Sequence, residues 1–558
     1  MQSESQAAEG IFDYVIIGAG SAGCVLASRL SENPKHQVLQ LEAGGHDRDW
    51  RIDMPLGVGA LLESGAHNWN YLTEPEPHLN NRRIAHPRGR VLGGSSSING
   101  MVYTRGHGLD YDNWAGKHGC AGWSYADLLP YFKRSEHAAG GSGPYRGGDG
   151  PLRVMAPDLS LSPLNKAFME AGRQAGYPLT LDSNGYQQEG FGPNEMTIAG
   201  GRRWSAVRAY LDPARTRPNL RIESDALVER VLFDGARSVG VRYRQKDRSC
   251  VVRAGAEIIL CSGAINSPQV LMLSGIGPAE MLRQHGIPVV ADRAEVGRNL
   301  QDHPDLTVQY WCGAQVTLYP ATRFPAKWQT GLRWFATRKG LAASNQFEVA
   351  AYIRTAAGIE HPDLKLELLP LAFQPESFAP HPGHAFQIHM TMLRAESRGA
   401  VTLKSKDPAA PPGIIFNYLS DPRDLATMRR AVRLTQEIVR QPALQAYARD
   451  EIAPGGAGAT DAELDEWIRN HIATAYHPSG TCRMGDDPHS VLDPQLRVRG
   501  VEGLRVVDAS IMPQVVSSNT NAPTIMIAER ASDLIRGTSL PPTNLPYWVN
   551  PDWRTAQR

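Results

Sequence analysis

The sequence predicts an α/β fold in which one sheet is assembled from distant parts of the chain and a second domain is inserted between those parts. Three observations carry this. A β-branched and aromatic run at residues 12–17 leads directly into a glycine cluster, then a helical stretch at 24–30 and an apolar strand, Val38–Leu41, which together make a β-α-β unit. Two further segments, 257–262 and 503–508, also read as strands that end in loops, one in mid-chain and one near the C-terminus. At 558 residues the chain is too long for one simple core, so two closely packed domains are expected.

Composition narrows the class. Hydrophobic residues make up 42% and charged residues 21%, as in an ordinary globular enzyme, and a formal net charge of +1 gives no electrostatic footprint for nucleic acid. The six cysteines are scattered with no C-x-x-C pair, so neither a zinc site nor a disulfide framework is expected, and a reducing compartment suits them. The first ten residues are polar, without a basic start or apolar core, and do not read as a secretory signal. No apolar run reaches the roughly 18 residues needed to span a bilayer. A cytoplasmic location is therefore expected, with peripheral contact to a membrane left open. The sequence gives no reading of the oligomeric state.

The glycine cluster carries the first chemistry. Gly18, Gly20 and Gly23, with Ser21 and Ala22 between them, form G-x-G-x-x-G after a strand and before a helix. Gly18 permits the tight turn, Gly20 lets the backbone approach a pyrophosphate at the helix N-terminus, and Gly23 lets helix and strand pack closely. Glu42, followed by Ala43, ends the second strand where an acid can bind ribose hydroxyls. A glycine-rich turn in an unrelated protein would not carry strand, helix and acid together. The fingerprint fits FAD or NAD, and the acid disfavours the 2′-phosphate of NADP.

Elsewhere the pattern is less specific. Helices are expected at 163–175 and 424–441. Residues 140–150 are a glycine-rich surface loop without the following helix that a phosphate cradle needs. Residues 323–340 mix Phe324, Trp328, Trp334 and Phe335 with five bases; this segment suits a membrane surface or a pocket gate, and a helix buried on one face suits it equally. The proline-rich tail from Pro541 reads as a docked extension.

Four longer motifs point to a family. Residues 89–99 read GRVLGGSSSIN; 263–268 read GAINSP and run on to SGIG at 274–277; 474–485 read TAYHPSGTCRMG; and Asp508-Ala509-Ser510 precedes 518–524, SNTNAPT. In this order they resemble the glucose–methanol–choline (GMC) oxidoreductases over nearly the whole chain, with the bacterial alcohol and choline dehydrogenases nearest in appearance. The resemblance implies FAD in a discontinuous Rossmann-like domain (11–155, 215–310 and 470–537). It also implies an inserted α+β substrate domain on an antiparallel sheet (156–214 and 311–469), followed by a C-terminal extension (538–558). Trp69 and Val228 match adenine neighbours. Arg90, Gly93, Gly94, Asn99, Met101 and Val102 match positions along the cofactor, with the Gly93-Gly94 turn bringing backbone N–H groups to the flavin. Asp508 and Ala509 match pyrophosphate and ribityl contacts, and Thr520 and Asn521 positions near the isoalloxazine. Ile98 stands where some relatives carry a tethering histidine, so the flavin is expected to be noncovalent. Ser479 and Ser518 depart from the commoner residues beside the catalytic positions.

The same resemblance implies oxidation of a small alcohol by hydride transfer to flavin N5. Hydride leaves readily only as the O–H proton leaves, so a base must stand beside the hydroxyl, and a histidine has a suitable pKa. His477, in a rigid turn before Pro478, is that base. Asn519 matches the second catalytic position; it can hold the oxygen but cannot act as a base. Tyr476 and Glu348 are the candidate pocket residues. The expected acceptor is a quinone or dye-like oxidant. The alternatives are O₂, as in the family's oxidases, or a non-redox lyase or photodecarboxylase, the last disfavoured by the intact pair.

Overall fold

The computed structural model describes residues 9–374, 377, 379–456 and 458–558. The polar stretch read as lacking a secretory signal lies almost wholly outside the described residues.

One seven-stranded sheet gathers the three expected segments. The strand Ile11–Ile17 pairs in parallel with Val38–Leu41 on one side and with Arg248–Leu260 on the other, and Leu504–Val506 adds to Arg248–Leu260. Leu220–Glu223 extends the parallel edge, while Arg237–Gln245 and Ala226–Asp234 continue the other side antiparallel. Val15 and Ile16 are fully buried, as a strand covered on both faces requires. The mid-chain strand begins well before residue 257, because its first half is the outer limb of a hairpin with Arg237–Gln245.

Helix Ser21–Leu30 follows the first strand, with helix Asn521–Arg536 packed beside it. A Cβ at Gly23 would lie 2.0 Å from the Gly18 carbonyl oxygen, so glycine alone allows this strand–helix approach. The helices expected at 163–175 and 424–441 are Pro163–Gln174 and Pro422–Val439.

A second sheet is wholly antiparallel, in the order Ala448–Ala453, Pro304–Cys312, Ala385–Met392, Leu364–Leu369, Val349–Ile353 and Gly190–Pro193, with Ala473–Thr474 added to Pro304–Cys312. Pro304–Cys312 crosses the boundary expected between residues 310 and 311, and Ala473–Thr474 lies inside a segment expected in the other domain. Both belong to the antiparallel sheet because their hydrogen bonds are made there.

Segment 323–340 contains helix Ala326–Thr337, and only Trp334 of that helix is buried. The burial of a whole helical face, one of the sequence readings, is therefore excluded. The C-terminal tail is docked: Tyr547 packs on His107 and Tyr125, and Arg558 pairs with Glu437 at 2.7 Å.

Candidate active site

A cavity of about 830 Å³ runs from the glycine loop to the face of the antiparallel sheet. Gly18, Gly20, Ser21, Ala22, Glu42 and Ala43 line one end. Lys365, Glu367, His389, His477 and Asn519 line the other.

The first end is a backbone cradle. Gly18 has φ +102°, and a Cβ there would stand 2.5 Å from the Cys261 carbonyl oxygen. Gly94 has φ +52°, and its Cβ would lie 2.7 Å from the Gly20 Cα. The Gly93 and Gly94 N–H groups donate to the carbonyls of Ala19 and Val91, each at 2.7 Å. Those two N–H groups are thus engaged within the protein, while Gly94 and Ser95 of the same turn line the cavity and the glycines allow the loops to pack closely. Helices beginning at Ser21, Gly263 and Asn521 direct their N-termini at the cavity, and the Ser21 hydroxyl donates to Asn521 Oδ1 at 2.7 Å. Such ends carry partial positive charge suited to a pyrophosphate. Trp69 lines the cavity, held between the Arg90 guanidinium at 4.7 Å and the parallel Tyr71 ring.

Glu42 is buried, and its carboxylate oxygens accept the N–H groups of Ala19 and Gly44, both at 2.8 Å. Burial pushes its pKa up to about 7 despite these bonds. Ribose hydroxyls donate best to the ionised form. Binding should therefore release a proton, and cofactor affinity should rise as pH climbs from about 6 through 7. Equilibrium titration of apoprotein with FAD checks this: Glu42→Gln should weaken binding and flatten its pH dependence, and an unchanged pH dependence would remove Glu42 from the ribose site.

At the other end the hydrogen-bond directions form a chain. Lys365 Nζ, a donor only, stands 2.8 Å from Asn519 Oδ1, and the Thr104 hydroxyl donates to the same oxygen. Asn519 Nδ2 is thereby turned to His477 Nε2 at 3.1 Å. Because Nδ2 carries only protons, His477 Nε2 must present its lone pair, which leaves the ring proton on Nδ1, facing His303 Nδ1 at 3.0 Å. Burial, then the neighbouring His303, Lys365, Arg88 and His86, hold the His477 pKa well below its ordinary value, so the ring is neutral. Burial likewise pushes His303 down to about 4. Asp302 fixes the His477 turn. It accepts the His477 N–H at 2.7 Å and the hydroxyls of Tyr418 and Thr474, while Tyr476 takes φ +66° to complete the turn.

A family model described as GMC oxidoreductase matches residues 12–305, and a second, for the C-terminal part of the same family, matches residues 395–528. The chain belongs to the GMC oxidoreductases. It is 50% identical over 547 residues to a Pseudomonas aeruginosa (strain LESB58) protein named oxygen-dependent choline dehydrogenase, covering 97% of this chain and 98% of that one. A Chromohalobacter salexigens protein named oxygen-dependent choline dehydrogenase 1 is 49% identical, covering 96% and 97% of the two chains. Among solved structures, pyridoxine 4-oxidase from Mesorbium loti superposes with a TM-score of 0.85 at 34% identity, covering 93% of this chain and 98% of that one. A variant formate oxidase from Aspergillus oryzae RIB40 gives 0.90 at 26%, covering 95% and 99%. This GMC oxidoreductase is thus an FAD-dependent enzyme that oxidises alcohols. When bound, FAD supplies the hydride acceptor.

The other sequence-derived positions divide by where their side chains go. Met101, Val102, Val228, Ala509, Thr520, Asn521 and Tyr476 line the cavity of the oxidoreductase. Asn99 lines it too, but its Oδ1 is engaged by Arg203 at 2.7 Å. Asp508 accepts the Gly263 and Ser510 N–H groups and the Ser267 hydroxyl, so its carboxylate braces the loops. Ser518 is part of the lining and Ser479 is not. Glu348 does not reach the cavity. Its carboxylate accepts from the Ser344 hydroxyl and from the Asp158 N–H at 2.9 Å, while the preceding Phe347 faces inward. Adjacent residues of an extended chain point to opposite sides, and this parity is invisible without the partner layer. Sequence reasoning missed Lys365, Asp302 and His303. Lys365 and Glu367 alternate with leucines in LKLELL, which reads as the polar face of a solvated strand. The acid–histidine pair in QDHPD was the available signal for the other two.

Proposed function

We propose that His477 Nε2 takes the hydroxyl proton of the alcohol while Asn519 Nδ2 donates to its oxygen. The observation that carries this is the chain from Lys365 through Asn519 to His477, which aims an amide N–H at the Nε2 lone pair with the two nitrogens 3.1 Å apart; an alcohol oxygen that replaces this bond can accept from the first and donate to the second. The charge on Lys365 polarises the Asn519 amide and strengthens its hold on an oxygen that is becoming negative. The remaining cofactor-lining residues named above bind and orient FAD, which Ile98, an aliphatic side chain, leaves untethered. The domain division follows the two sheets, with Pro304–Cys312 and Ala473–Thr474 assigned to the substrate-binding unit.

The electron acceptor in this reading is a quinone or a dye-like oxidant reached through peripheral contact with a membrane. A second reading, O₂, is favoured by the buried cation Lys365 beside the catalytic pair and by the names of the relatives. The names also put choline first in a substrate panel, although both carboxylates of the sheet face are engaged, Glu367 by Lys365 at 2.7 Å and Asp305 by His389 at 2.8 Å. Anaerobic mixing with choline and neutral primary alcohols should bleach the flavin, and acid should release free FAD from the protein. Absence of bleaching by any alcohol sinks the proposed chemistry. Reoxidation of the reduced enzyme in air at the turnover rate, with stoichiometric peroxide, replaces the quinone by O₂.

A further inference from the structure

We propose that residues 323–339, centred on helix Ala326–Thr337, form a docking face for an anionic lipid bilayer and hold the cavity rim against it. The spacing is the first observation. Trp328, Leu332 and Phe335 recur at intervals of four and three residues, which is one face of the helix, and Phe324 lies just before its start. That face points away from the protein: Phe324 is 82% exposed, Trp328 74% and Leu332 71%. Trp50, also exposed, extends the patch through its ring contact with Phe335 at 5.8 Å. A helix that packs on its own core buries its apolar stripe, whereas this one is rooted by Trp334 alone, whose indole N–H donates to the Gly201 carbonyl at 2.7 Å.

Charge selects the occupant. Arg323, Lys327, Arg333 and Lys339 are exposed beside the stripe, and none of them pairs with a carboxylate among the described residues. Residues 313–347 contain five bases and no Asp or Glu, in a chain whose overall balance is only +1. Aromatic and leucine side chains flanked by unpaired bases match the boundary of an anionic bilayer, where the rings insert by roughly 5–10 Å and the bases meet lipid phosphates. A second copy of this chain is a poorer occupant, because a symmetric contact through this face would oppose two acid-free basic rims.

The position ties docking to the site. The helix packs on Met54 and Leu56, and Leu56, Val58, Leu62 and the preceding Leu318 line the cavity. Docking therefore places that end of the cavity at the lipid surface. This extends the quinone reading but is tested without it, since vesicle binding needs neither turnover nor an acceptor.

The test uses FAD-loaded enzyme and sedimentation with vesicles of phosphatidylcholine alone or with roughly one-third phosphatidylglycerol. The expected result is at least ~10-fold tighter binding to the anionic vesicles, weakened by salt as screening requires. Trp328→Ser with Leu332→Ser should reduce binding to both kinds of vesicle, and Lys327→Gln with Arg333→Gln should abolish the preference for phosphatidylglycerol. Each double variant should keep its dye-linked alcohol oxidation, which shows that it has folded. The proposal is overturned if wild-type enzyme stays in the supernatant with anionic vesicles or if the variants bind as the wild type does. It is equally overturned if light scattering shows a dimer that Trp328→Ser with Leu332→Ser converts to monomer, because the face is then a contact between copies.

Discussion

His477→Ala enzyme should keep its flavin and lose alcohol-driven flavin reduction by ~10²–10⁴-fold, the range over which a general base contributes. The expectation rests on the lone pair at Nε2. In this site the imidazole is the group that both faces the Asn519 amide and can accept a proton at neutral pH. Flavin should be retained because the turn is held from the backbone: the residue 477 N–H still reaches Asp302, and alanine leaves that bond in place. Anaerobic stopped-flow absorbance measures the rate, and the visible spectrum measures occupancy. Reduction by the variant at the wild-type rate would remove His477 from the chemistry. Asn519→Ala should also slow reduction but leave its dependence on pH, because the base remains.

Lys365→Met should slow reduction by ~10–10²-fold and move the acid limb of the pH profile to higher pH. The sign follows from the cation. Lys365 is one of the neighbouring positive charges that depress the His477 pKa, so removing it raises that pKa and the base is protonated at a higher pH. The rate falls for a second reason: without a donor-only partner at Oδ1, the Asn519 amide can turn over and present oxygen to Nε2, which favours the protonated tautomer there. Glu367, left in a buried site with Asn194 still donating to it at 2.9 Å, loses its counter-charge, and breaking such a pair typically costs about 3–5 kcal/mol. Lys365→Met combined with Glu367→Gln separates the two effects. It should recover most of the thermal midpoint and none of the rate or pH shift. An acid limb that stays in place in both variants would show that Lys365 is structural only.

How much of this was readable without coordinates depends on sequence separation. The dinucleotide cradle was legible because its causes are local: a strand, a glycine turn, a helix N-terminus and an acid fall within residues 11–42, and backbone geometry alone dictates the glycines. Motif order identified the family, the flavin and the His477–Asn519 pair. It did not reveal what the Gly93-Gly94 turn does with its N–H groups, because their acceptors, Ala19 and Val91, are set by how two loops meet.

The sequence by itself therefore determined the α/β class, the cofactor class, the residue types of the proposed catalytic pair and the presence of a basic aromatic segment. The tertiary structure decided which proton sits where. The tautomer of His477 depends on an asparagine 42 residues away, and that asparagine is oriented by a lysine 154 residues before it in the chain. Tertiary structure likewise decided that Glu348 faces away while Lys365 faces in, and that the stripe beginning at Trp328 points outward. Each of these is a direction in space. Sequence periodicity fixes which residues share a face of a strand or helix, but only the layer packed against it determines whether that face meets a cavity, a core or the surroundings.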